Sequence, residues 1–207
     1  MKRITAIFMA MILLLCFTAC GNQSESQQTV SPKPVEPTKP TPQPEPDKPS
    51  KSNILVAYFS CTNTTEGIAK TIADETGGTL YEIIAAEPYT EDDLKYYTNG
   101  RADKEQADAS CRPAISGTVS DMSSYDTVFI GYPLWWGKEP MIIRTFLESY
   151  NLKGKKIVPF CTSGGSGISG SMKGIKASAK GAIVVTGKDL TDSSAKSVKN
   201  WAKKKMK

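Results

Sequence analysis

The 207-residue chain contains no histidine. That absence removes Ser-His-Asp and Cys-His nucleophile systems, His-ligated zinc and histidine general bases. A Gly-Lys-Ser/Thr phosphate loop is missing, which excludes a Walker-type nucleotidase. No basic patch interleaved with aromatics is present either, so nucleic acid is not an expected partner. Apolar runs are short. The one from Ile4 to Phe17 falls below the ~20 residues needed to span a bilayer. Cysteine is scarce: after Cys16 and Cys20 come only Cys61, Cys111 and Cys161.

The N-terminus reads as a targeting segment. Lys2 and Arg3 precede the apolar run, and Thr18-Ala19-Cys20-Gly21 follows it. A charged start, a short apolar core and small residues before a cut describe a secretory signal over residues 1–19. The cysteine directly after the small residues resembles the bacterial lipobox. That resemblance implies cleavage before Cys20, lipidation of Cys20, and a domain on the outer face of the cell membrane. Eight of the thirteen prolines fall between Pro32 and Pro49, a composition that lacks core-forming residues and favours extended polyproline II. Residues 20–52 are therefore expected to be a disordered tether, its 18 Pro-rich positions reaching roughly 55 Å.

From Asn53 to Lys207 the composition is that of one globular domain, with 20 Lys and Arg against 17 Asp and Glu. Five of the lysines lie in the last nine residues, which reads as a solvated helix end, or else as a contact for a membrane surface or an acidic partner. Short apolar runs alternate with amphipathic segments. Strands are predicted at 54–59, 80–85, 128–132, 157–161 and 182–186, with helices after the first, third and fifth. That alternation predicts an α/β, doubly wound, five-stranded parallel sheet covered on both faces, and ligands then bind beyond the carboxyl ends of the strands. Pro159, inside the fourth strand, cannot donate to a ladder and is expected at a bulge or irregular start. The stretch from Glu87 to Pro113 is too long for a plain connection. A helix is expected over residues 90–109, with Tyr89, Tyr96, Tyr97 and Arg101 able to roof a site.

Three loops carry the ligand-binding signal. Ser60-Cys61-Thr62-Asn63-Thr64-Thr65 offers hydroxyls, an amide and backbone N–H groups at a helix N-terminus, the equipment for a phosphate. A phosphatase-type Cys loop would need arginine six residues after Cys61, where Gly67 stands. Pro133-Leu134-Trp135-Trp136-Gly137 places an indole face where a flat heteroaromatic can stack. Thr162-Ser163-Gly164-Gly165-Ser166-Gly167 lets backbone N–H groups approach a ligand closely. Gly165, Gly167 and Gly170, with Asp189 beyond them, satisfy a dinucleotide fingerprint, but too little chain remains after Gly170 for the βαβαβ half that motif requires. Acids expected near the three loops are Glu66, Glu139 and those of the 87–113 insertion.

Taken in order and spacing, these segments resemble the flavodoxin-like FMN proteins over essentially all of residues 53–207. The resemblance implies strand order 2-1-3-4-5 and FMN as cofactor. The phosphate would lie on Ser60, Thr62, Asn63, Thr64 and Thr65, with Trp135 or Trp136 against the isoalloxazine. The loop from Thr162 to Gly167 would reach the pyrimidine edge, and the carbonyl of Gly137 or Trp136 would serve the flavin. Family members often have Gly where this chain has Asn63. The implied function is a membrane-tethered electron carrier whose partner is a redox protein or a quinone or other small-molecule acceptor. Two alternatives are an FMN-dependent NAD(P)H or quinone oxidoreductase and a surface domain without flavin. Free thiols are the expected state of the three domain cysteines. Cys61 and Cys161 lie too far apart to bridge, while Cys61–Cys111 is geometrically open.

Overall fold

The computed structural model describes residues 53–207; the expected leader, Cys20 and the tether lie outside the described residues. The elements are β1 (Ile54–Tyr58), α1 (Thr64–Thr76), β2 (Thr79–Glu82), β3 (Ile84–Ala85), α2 (Arg101–Ala107), β4 (Ile115–Ser116), β5 (Thr127–Pro133), α3 (Met141–Glu148), β6 (Lys156–Thr162), α4 (Met172–Ser178), β7 (Ile183–Val184), β8 (Lys188–Asp189) and α5 (Ala195–Met206). The main sheet runs β2-β1-β5-β6-β7, with β8 also on β6, and every pairing in it is parallel. Counting the split β7/β8 as one strand, this is the expected order 2-1-3-4-5. No helix among the described residues is long and apolar enough to cross a membrane.

Both faces of the sheet are covered, and the strands alternate accordingly. Leu55, Ala57, Val128, Ile130 and Ile157 pack under Ile142, Ile143 and Phe146 of α3 and Ile175 of α4. Val56, Tyr58, Phe129, Val158 and Phe160 face Ala69 and Ile72 of α1 and Val198, Trp201 and Ala202 of α5. Apolar residues at every strand position are what burial on two faces demands. Gly131 lies in the middle of this packing: a Cβ there would stand 2.2 Å from the Phe160 ring.

Three local expectations are corrected. Pro159 causes no bulge in β6, whose register with β5 is unbroken from Lys156 to Thr162. The interruption falls on the other side. Carbonyls of Lys155, Ile157 and Cys161 accept from Ile183, Val185 and Leu190, so by parallel-strand alternation the missing Pro159 donor faces the fifth strand. That strand breaks there into β7 and β8. The second correction concerns the insertion. Thr90 and Asp93 make the reciprocal bonds of a capping box, but only a turn follows. Tyr97 and Asn99 take left-handed φ of 62° and 60°, their N–H groups bonded to the Asp103 carboxylate. The helix is confined to α2. The second predicted strand also divides: β2 belongs to the main sheet, while β3 pairs antiparallel with β4 in a separate ribbon.

Candidate functional site

The three loops meet at the carboxyl edge of the sheet around a cleft of about 390 Å³, within the size range of small-ligand sites. Its lining includes Ser60, Cys61, Thr62 and Thr64 from the first loop, and Pro133, Leu134 and Trp135 from the second. Thr162, Ser163 and Gly164 of the third loop complete the expected part. Hydrogen bonds hold the loops in register. Thr65 Oγ1 and Thr162 Oγ1 are 2.8 Å apart, and the Leu134 N–H donates to the Thr162 carbonyl at 2.8 Å.

The first loop is arranged for an anion. Asn63, at the start of α1, has φ 62°, and no side chain caps the helix. Among non-glycine residues asparagine tolerates that conformation well. An α-helix has no intrahelical acceptors for its first N–H groups, which here belong to Thr64, Thr65 and Glu66; the first intrahelical bond is Gly67 N–H to the Asn63 carbonyl. The Ser60 hydroxyl is buried and has no hydrogen-bond partner among the described residues. A buried hydroxyl without a partner costs free energy, and here it sits beside unpaired amides at a positive helix end. Thr65 is different: it is buried, its hydroxyl bonded to that of Thr162, so its side chain can donate to an anion only when the Thr162 hydroxyl is the donor between them.

The two tryptophans divide their roles. Trp135 is buried, packed edge-on against Phe59 at 5.5 Å and Tyr89 at 5.2 Å, and still lines the cleft. Trp136 and Gly137 both have positive φ, 50° and 73°. Trp135 and Lys138 exchange backbone hydrogen bonds around them, the pattern of a type I′ turn. This turn carries Trp136 out of the cleft, to pack against Tyr96 at 4.5 Å and to line a separate depression with Gln106 and Lys138. The Gly137 carbonyl points at Gly170, where a Cβ would approach it to 2.3 Å, and Gly137 does not line the cleft. Asn63, Gly165, Ser166 and Gly167 also lie outside the cleft lining.

Four features were not assigned to the site from sequence. Leu94 and Thr191 line the cleft, and Tyr96, expected only as a possible roof, does too. Asp189 organises the third loop from behind: it accepts from the Ser163 hydroxyl, the Thr191 hydroxyl and the Thr191 N–H. Burial opposes its charge, but those hydrogen bonds outweigh burial and hold its carboxyl below the usual range. It is thus a fixed anion behind the cleft, additional to the acids expected there. Gln106 of α2 ties the insertion to the second loop. Its Nε2 donates to the carbonyls of Trp135 at 3.1 Å and Glu139 at 3.2 Å, and its Oε1 accepts from the Met141 N–H at 3.1 Å. Arg101 lies 4.2 Å over the Tyr89 ring and donates to Glu105 and to the Glu87 carbonyl, fixing the roof at its other end. Cys61, Cys111 and Cys161 are all free thiols.

A family model described as flavodoxin matches residues 53–205. A candidate flavoprotein from Bacteroides eggerthii is 41% identical, with a TM-score of 0.70, over 74% of this chain and 98% of its own. One from Bacteroides uniformis is 40% identical, with a TM-score of 0.70, over 73% and 98%. A flavoprotein from Lactobacillus acidophilus, solved in complex with FMN, shares the fold at 23% identity and a TM-score of 0.53, over 66% of this chain and 91% of its own. The search of curated proteins found no match. With its sheet order, its three converging loops and these matches, the chain belongs to the flavodoxin family.

Proposed function

We propose that this protein binds FMN in the cleft and works as an electron-transfer protein, tethered through a lipid on Cys20 to the outer face of the cell membrane. The observation that carries the cofactor reading is the buried, unpartnered Ser60 hydroxyl beside the uncapped N-terminus of α1, opening onto a cleft with an aromatic wall. Ser60, Thr62, Asn63 and Thr64 would hold the phosphate, helped by the N–H groups of the first turn. Trp135, Pro133 and Leu134 would form one wall for the flat ring, and Ser163, Gly164 and Thr191 the other, beneath Leu94 and Tyr96. When bound, FMN supplies the reversible electron chemistry, for which the protein needs no catalytic side chain. The chain's own contribution is to bind, to exclude water and to place the Asp189 charge behind the ring. The FMN complex of the Lactobacillus acidophilus relative supports the choice of ligand. The sequence of residues 1–52 supports the tether.

The electron-transfer reading is tested with FMN-loaded protein reduced by dithionite and mixed with cytochrome c. Rapid flavin reoxidation with matching cytochrome reduction is expected, and NADH or NADPH alone should not bleach the flavin. Bleaching by pyridine nucleotide without a partner would instead make the protein a stand-alone oxidoreductase. For the anchor, Cys20→Ser should move the protein out of the membrane fraction; unchanged fractionation would reject lipidation at Cys20.

A further inference from the structure

The cleft and Asn53, the first described residue, lie at opposite ends of the domain. Asn53, where the tether joins, lies at the N-terminal edge of the sheet, and the chain crosses that edge through backbone hydrogen bonds. Asp126 donates to the Asn53 carbonyl at 2.9 Å, and Lys156 to the Asp126 carbonyl at 2.8 Å. Lys156 is thus two strands from the tether junction, about 10 Å away. Its Nζ donates to the Lys205 carbonyl at 2.5 Å, which pins the end of α5 to the same edge.

That corner is basic and partly apolar. Lys204 and Lys207 at the end of α5, and Lys153 and Lys180 in the loops before β6 and β7, are exposed at this end of the sheet, together with two acids, Asp126 and, beside Lys180, Glu148. Ile183 is 62% exposed and Met206 40% exposed. Ile183 is in register with Lys156, so both side chains lie on the face that carries α5. Four large hydrophobic residues are exposed among the described residues: Tyr96 lines the cleft, Tyr97 lines a separate depression with Asn99 and Asp103, and the other two are these. The opposite edge carries the acids of the insertion and Asp189. An excess of lysines at the same end of the sheet as exposed aliphatic side chains suits an anionic lipid surface, where the charge draws the protein in and the apolar groups enter the headgroup boundary.

We propose that this corner docks the domain on an anionic phospholipid bilayer, with the cleft turned outward. The proposal rests on the tethered reading, because a lipid on Cys20 would hold the corner near the surface and make weak contacts count. It deepens the functional reading as well: a cleft facing away from the bilayer fits a water-soluble redox partner rather than a membrane quinone.

The solved relatives align over 98% of their own chains with this domain alone, so residues 53–207 fold without the preceding segment and can be tested unlipidated. The assay is sedimentation with vesicles of phosphatidylcholine, with and without about one-third phosphatidylglycerol. Binding is expected only to the anionic vesicles, and it should weaken as salt rises. Replacing Lys153, Lys180, Lys204 and Lys207 by Gln should lower affinity at least a hundredfold, at roughly fivefold per lysine. Ile183→Ser with Met206→Ser should lower it roughly tenfold. The control pair Lys173→Gln with Lys196→Gln, at the cleft end, should bind like the parent, with all variants matched for melting temperature. Equal binding to both vesicle types, no binding to either, or full binding by the four-lysine variant would overturn the proposal. So would equal binding to polyglutamate with no effect of the Ile183 and Met206 changes, since the corner would then suit any acidic polymer. Each of these results leaves the Cys20 and FMN experiments unaffected, so their failures are separable.

Discussion

Gln106→Leu tests how the insertion is joined to the cleft. The substitution removes three hydrogen bonds at once, from Nε2 to the Trp135 and Glu139 carbonyls and from the Met141 N–H to Oε1. At ~1 kcal/mol net for each, the loss is about 3 kcal/mol, with part of it reflecting backbone groups left without partners in a half-buried place. For a domain of this size, 1 kcal/mol moves the melting temperature by roughly 2–4 °C, so a drop of about 6–12 °C is expected. The location of the damage is the sharper readout. Amides of α2 and of residues 135–141 should lose hydrogen-exchange protection relative to those of α1, because the bonds join only those segments. FMN affinity should fall too, since the cleft-wall residue Trp135 loses its tie to α2, its carbonyl keeping only the Lys138 N–H. Gln106→Glu should do at least as much harm, because it sets a carboxylate against two carbonyls while keeping nearly the same shape. A melting temperature within about 2 °C of the parent, with unchanged exchange in α2, would refute the idea that Gln106 fastens the roof.

Three further predictions concern the cleft itself. Ser60→Ala should leave the apo-protein as stable as the parent or slightly more so, because it deletes an unpartnered buried hydroxyl. It should weaken FMN binding roughly tenfold or more, the value of a hydrogen bond to a charged group; equal FMN affinity by fluorescence titration would remove Ser60 from the phosphate site. Burial of the Cys61 thiol at the cleft lining, with the Glu82 charge nearby, pushes its pKa up to about 11. Although the residue as a whole is exposed, alkylation by iodoacetamide should be slow at pH 8, faster toward pH 11 and suppressed by FMN; fast alkylation at pH 8 would contradict the assigned environment. Asp189 has a lowered pKa in the fold, so its contribution to stability is present above its unfolded pKa of ~3.9 and is lost as pH falls through the folded value. Urea midpoints of Asp189→Asn should therefore show a shallower acid limb than the parent, and parallel acid limbs would exclude the linkage.

What could be read from the sequence was what local pattern controls. Continuous apolar runs marked strands buried on two faces, and hydroxyl-, Trp- and Gly-rich segments after them marked the cleft. Long-range consequences were not legible. Pro159 looked like a defect of its own strand, yet a parallel strand directs its donor sideways, so the cost fell on β7 and β8. That break leads the chain to Asp189 and Thr191, which bond to the third loop from 26 and 28 residues away. Thr90 and Asp93 gave a sound helix-start signal, but left-handed Tyr97 and Asn99, bonded to Asp103, ended the helix before it could grow. The adjacent tryptophans could not be told apart by composition. A turn with positive φ at Trp136 separates them, leaving only Trp135 in the cleft. Gln106 had no motif to announce it, because its three partners lie 29 to 35 residues further along the chain.

The central claim is that the cleft between the Ser60 loop and the Trp135 loop is an FMN site. Its most direct test is the visible spectrum of purified residues 22–207, before and after adding FMN and removing the excess by gel filtration. A retained two-banded flavin spectrum, shifted and with quenched fluorescence, and lost together with affinity in Ser60→Ala, is the predicted result. A colourless protein that releases all added FMN would contradict it and leave a flavodoxin fold serving another purpose.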